Sequence, residues 1–151
     1  MNKPAVFIFI ILGLMIRAIP QVSYFHELCH GMDCSIDGID WEITDCRTIS
    51  MDRLTVSNVT AGYKGEIITY SLLFGILLWH SKAFAGFWLG MLMHTAYRSF
   101  HSYDLVVLLP KLLKDQASVY LNGWILCVVA LIIVLWWRLL RKVIHEEVKE
   151  K

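Results

Sequence analysis

An all-α polytopic membrane protein with about four transmembrane helices and a small β-containing insert is the fold class this sequence predicts, and three observations predict it. Of its 151 residues 57% are hydrophobic and only 18% charged, too apolar and too charge-poor for an ordinary soluble domain of this size. The apolar residues gather into blocks close to the roughly 20 residues needed to cross a hydrocarbon core. Between the first two blocks lies a polar stretch of a different character. The net charge of +1, with no basic run interleaved with aromatics, excludes a nucleic-acid footprint.

The first apolar block runs from Pro4 to Phe25, broken by Arg17 and Pro20. Its charged start at Lys3 also fits a signal peptide. Cleavage near Ala18 would, however, detach the helix from the motif that follows, and no A-x-A site is present, so a retained helix is expected. From Gly31 to Thr60 the chain turns polar. Asp33, Asp37, Asp40, Glu42, Asp45 and Asp52 there outnumber Arg47 and Arg53, which marks an extramembrane insert. Ile36, Trp41, Ile43, Ile49, Met51, Leu54 and Val56 sit in short pieces separated by Gly and Asp, a pattern of strands or a small hairpin. Cys34 and Cys46 flank this segment, and pairing them in an oxidising compartment would contribute about 3 kcal/mol. Cys29 and Cys127 fall in apolar blocks and read as packing residues. Asn58-Val59-Thr60 has the form of a glycosylation sequon, which matters only in a secretory lumen.

A second span covers Gly62 to His80 and a third Ala83 to Tyr97, with only Ser81-Lys82 between them, so the two form a tight antiparallel pair. Gly86 and Gly90 give the third span a small-residue face for close helix contact, with His94 one turn further along it. Residues 98–116 are mixed, with His101 and Asp104 ahead of the apolar Leu105–Leu109 and Pro110, as in a half-buried or re-entrant segment. The last span, Val119 to Leu140, carries Trp124, Trp136 and Trp137 as interfacial anchors. Its tail to Lys151 is rich in Arg and Lys, which places it in the cytoplasm by the positive-inside rule. The expected division is a membrane-embedded core over 1–118, with the insert at 31–60, and a C-terminal helix and tail over 119–151.

The chemistry lies in His26-Glu27-Leu28-Cys29-His30. On a helix, HExxH stacks two imidazoles at i and i+4 on one face, where both reach a single zinc ion. Glu27 projects beside the metal as general base for the water that zinc activates. Ionisable residues beside an apolar run are costly to bury without a purpose. Catalytic zinc takes three protein ligands, so a third must come from elsewhere. Asp104, His101, His94 and Glu66 are the candidates. Glu66, near the start of the second span, is most simply paired with Lys64 or solvated, and His94 is equally a hydrogen-bonded interior histidine.

An apolar helix entering HExxH, a polar β-like insert, Ala61-Gly62-Tyr63-Lys64-Gly65 opening the next span, and Asp104 after a third span together resemble the site-2 protease family of intramembrane zinc metalloproteases. The likeness covers about residues 5–109, with HExxH its most specific part. It implies Zn2+ as cofactor, His26, His30 and Asp104 as metal ligands, and Glu27 as catalytic base. Membrane-embedded or membrane-proximal peptide segments are the implied substrates. Two departures stand out: Cys29 replaces the family's usual Gly, and the fuller Asp motif is absent around Ser102-Tyr103-Asp104-Leu105. Asp104 is nevertheless favoured over His101 as third ligand. An exposed strand edge in residues 36–56 would let an unwound substrate add as a further strand. The alternative reading is a non-catalytic, degenerate protease that binds metal or scaffolds clients.

Overall fold

The computed structural model describes residues 3–19, 24–44, 47–48 and 54–149. These residues are almost entirely helical. Helix α1 spans Lys3–Arg17, α2 Tyr24–Ile36, α3 Val56–His80, α4 Lys82–Phe100, α5 Leu109–Leu113 and α6 Ala117–Lys149. A π-helical segment, Asp104–Leu108, leads into α5, and a 3-10 turn, Lys114–Gln116, leads out of it. The apolar block expected over Pro4–Phe25 is thus divided between α1 and α2; Pro20, the expected breaker, lies outside the described residues.

The insert is narrower than 31–60 because helix signals encroach on both sides. Helix α2 continues past Gly31, where a Cβ would overlap the Trp41 ring, and the Trp41 indole donates to Ser35 Oγ at 2.5 Å. Helix α3 starts at Val56 on a capping box: Thr55 Oγ1 accepts from the Asn58 amide at 3.2 Å, and Asn58 Oδ1 accepts from the Thr55 amide at 2.8 Å. Between them, β1 (Ile43–Thr44) and β2 (Arg47–Thr48) pair antiparallel, Ile43 opposite Thr48 and Thr44 opposite Arg47. Among the described residues no longer strand edge is available to a substrate. Cys34 is buried; Cys46, Ile49 and Met51 lie outside the described residues.

Ser81 joins α3 to α4 by capping both, its amide donating to Leu77 O at 2.7 Å and its hydroxyl accepting from the Phe84 amide. The small face of α4 is used against α1. A Cβ at Gly90 would overlap Ile10 O, and one at Gly13 would overlap Phe87 O, so the two backbones touch. Helix α4 ends at Phe100 and the chain breaks at His101–Ser102 before helix resumes.

Apolar side chains build the core of this bundle, as Phe74, Leu89, Leu92 and Leu105 do, but polar groups are buried among them and many apolar ones face outward. Arg17, Glu27, Asn58, Glu66, Thr95 and Ser99 are buried, whereas Ile11 and Met15 of α1, Leu72 and Ile76 of α3, and Leu126 and Ile133 of α6 are exposed. The run Lys82–His145 is, among the described residues, the one helical stretch long and apolar enough to cross a membrane. Its most apolar window has a mean hydropathy of 2.4 and is only 6% buried. Pro4–Arg17 forms a shorter apolar helix.

Candidate metal centre

Helix α2 carries His26, Glu27 and His30 on its buried face. At i and i+4 the imidazoles lie one turn apart, and their Nε2 atoms approach to 3.0 Å. Asp104, at the start of the π-helical segment, brings its Oδ2 to 3.7 Å from both nitrogens. The point equidistant from three atoms so spaced lies about 2.0 Å from each, which matches the roughly 2.0–2.2 Å of zinc–nitrogen and zinc–oxygen bonds. Two imidazole nitrogens and a carboxylate are also the donor set of a catalytic zinc site. Glu27 is 9% exposed and follows His26 directly. Asp104 stands on the open side of the cluster, its side chain 28% exposed.

Groups behind the imidazoles orient them. His30 Nδ1 donates to Asn58 O at 2.6 Å; a carbonyl only accepts, so the His30 proton sits on Nδ1 and its Nε2 presents a lone pair to the cluster. Asn58 is itself held, its amide donating to Asp33 at 2.8 Å and Asp37 at 3.0 Å. The sequon asparagine therefore faces the interior, 1% exposed. Glu66 replaces its expected solvation or Lys64 pairing with full burial. Arg17 Nη2 meets its two carboxylate oxygens at 2.7 and 2.8 Å, and Oε2 lies 3.5 Å from His26 Nδ1. Arg17 also donates to Thr95 Oγ1 at 3.2 Å, tying α1, α3 and α4 together behind the site. A His26 proton on Nε2 would satisfy His30 but turn the Nδ1 lone pair on this carboxylate. A cation between the two Nε2 atoms, with the proton on Nδ1, suits both neighbours.

Gly62 makes the approach of α3 possible, because a Cβ there would stand 2.5 Å from Nε2 of both His26 and His30. Tyr63 then places its ring edge-on against His26, centroids 4.2 Å apart. Gly65 does the same for Cys29, whose thiol fills the space a Cβ would take. Cys29 is not among the converging ligand atoms.

The other candidates fall away from the cluster. His101 is exposed, and its Nδ1 donates to Tyr97 O at 3.0 Å. His94 points its ring towards Tyr97, centroids 6.4 Å apart. An unbroken helix from His94 to Asp104 would have put all three on one face; the break at His101–Ser102 removes that alignment. Asp104 is also not a helix cap, since Ser102 Oγ accepts from the Leu105 amide at 3.2 Å and fills that role. Arg17, Asn58, Gly62 and the inward carboxylate of Glu66 are the site residues that sequence reasoning missed. Compared with protein-family models, curated proteins and solved structures, the chain matches none.

Proposed function

We propose that the chain is a zinc-dependent endopeptidase that cuts membrane-embedded or membrane-proximal peptide segments, as its resemblance to the site-2 proteases implies. The observation that carries this reading is the convergence of His26, His30 and Asp104 on one point, with buried Glu27 next in sequence to His26. Membrane residence is supported by the apolar surface of the bundle. Its most apolar helix is exposed rather than buried, unlike the core helix of a soluble protein, and it lies far from the N-terminus, unlike a signal sequence. Exposed apolar residues on α1, α3 and α6 extend that surface around the bundle; about four spans and a cytoplasmic C-terminus, expected from the apolar blocks and the basic tail, belong to the same proposal. Helix α1 alone reaches about 22 Å, short of a core of about 30 Å, so the crossing it begins draws α2 and the site towards the bilayer.

His26, His30 and Asp104 would hold the ion, and zinc bound there supplies a Lewis acid that lowers the pKa of a water to about 7 and polarises the scissile carbonyl. Glu27 takes the proton of the attacking water and returns it to the departing amine. His30 is kept as an Nδ1–H tautomer by Asn58, and His26 is aimed by Glu66. The carboxylate of Asp104 lowers the net charge of the loaded site from +2 to +1, and the Arg17–Glu66 pair adds none, which eases holding a cation where water is scarce.

The test is cleavage of a single-span client in liposomes by wild type and Glu27→Gln, with zinc measured in both. Wild type is expected to cut, and the variant to keep its zinc while losing about 100- to 10,000-fold in rate. Equal turnover would overturn the proposal and leave a metal-binding scaffold.

A further inference from the structure

We propose that the groove between the C-terminal halves of α3 and α6 is a binding site for an anionic phospholipid of the surrounding bilayer. The inference rests on the membrane reading above and not on the metal. The groove encloses about 1220 Å³, above the roughly 300–1,000 Å³ of an ordinary small-molecule pocket. Its walls are apolar along most of their length, built from Phe74 and Leu78 of α3 and Ile133 and Val134 of α6. Gly75 lies in this wall with nothing within 4 Å of where its Cβ would be. At Gly75 the α3 wall is thus bare backbone, which leaves room for an apolar chain to lie against it.

One end of the groove is cationic. Arg138, Arg141, Lys142 and His145 line it, and among the described residues no acidic one does. The ammonium of Lys142 is held at the mouth, 3.8 Å from the centroid of the Trp79 ring and 3.4 Å from Leu78 O. Trp79, which touches Lys142, and Trp137 both line the groove and are exposed, as aromatic rings at a membrane–water interface are. An apolar channel that ends in cations at the interface fits an acyl chain joined to a phosphodiester. A second copy of the chain docked on this face about a two-fold axis would bring like charges together. The groove is also separate from the metal centre: Gly62 and Leu78 are about 24 Å apart along α3.

The test is native mass spectrometry of the full chain in detergent, offered equal amounts of phosphatidylglycerol and phosphatidylcholine with the same acyl chains. About one phosphatidylglycerol per chain is expected to survive, in preference to phosphatidylcholine. Arg138→Gln with Arg141→Gln should weaken that retention about tenfold or more, and Gly75→Leu, which obstructs the groove but leaves every charge, should weaken it as well. Unchanged helicity by circular dichroism identifies variants that remain folded. Equal retention of the two lipids, retention untouched by both variants, or a stable dimer that excludes phosphatidylglycerol would each overturn the proposal. Release of the chain from native membranes by alkaline carbonate would instead overturn the membrane reading itself, and is measured separately.

Discussion

Replacing Gly62 by alanine sets the stability of a helix against the geometry of the site. Within α3 the change is favourable, since alanine exceeds glycine in a helix interior by about 0.8–1.0 kcal/mol. At the imidazoles it is not. The new Cβ would stand 2.5 Å from both Nε2 atoms, whereas ordinary contact is 3.4–4 Å. Either the rings or α3 must then give way by about 1 Å, several times the ±0.2 Å within which ligand distances hold a metal. Retreat of α3 would not spare the site, because it would also stretch the bond between His30 Nδ1 and Asn58 O. The overpacking costs about 1–3 kcal/mol, offset in part by the gain in the helix, so Gly62→Ala is expected to lose no more than about 2 kcal/mol of stability without metal while weakening zinc affinity about 10–100-fold or more, the loss typical of a disturbed ligand shell. Competition with a chromophoric chelator, run beside thermal unfolding of the apo-protein, reads both quantities. Wild-type zinc affinity in Gly62→Ala would refute the reasoning, because it would mean that the two nitrogens do not meet on the α3 side.

Glu66→Gln should weaken zinc binding about 10–100-fold by releasing His26. It should also cost stability, up to about 3–5 kcal/mol, by removing the carboxylate charge that faces the guanidinium of Arg17, which is 2% exposed. Adding Arg17→Met should recover most of that stability but not the affinity; recovery of both would make Glu66 a purely structural partner. Asp104→Ala should lose metal, and Asp104→Ser, which suits a helix cap, should not restore it. Rescue by serine, measured as zinc per chain, would return Asp104 to a capping role.

The parts of this site that sequence disclosed are those written in local spacing. HExxH needs only helical periodicity to bring two imidazoles together, and the helices follow from apolar blocks. Asp104 is singled out by its position after the third span; a face shared with His94 and His101 would need a continuous helix, and the helix breaks at His101–Ser102. Glu66 was hidden because its partner is 49 residues away. One local clue was present: Lys64 is two residues away, about 200° around the helix, and cannot face Glu66. The hydrogen bond that fixes His30 uses the backbone of Asn58, which has no signature in side-chain chemistry. Two further signals of the site lie in local sequence. Thr55-x-x-Asn58 is a variant capping box that starts α3 well before Gly62, and Gly62 with Gly65 marks a helix face that must come close to another element.

X-ray absorption at the zinc edge of the purified chain tests the metal centre most directly. One zinc per chain is expected, bound by two imidazole nitrogens and a carboxylate oxygen at about 2.0–2.2 Å with no sulfur. Absence of zinc, or a sulfur at about 2.3 Å that brings Cys29 into the ligand set, would contradict the account.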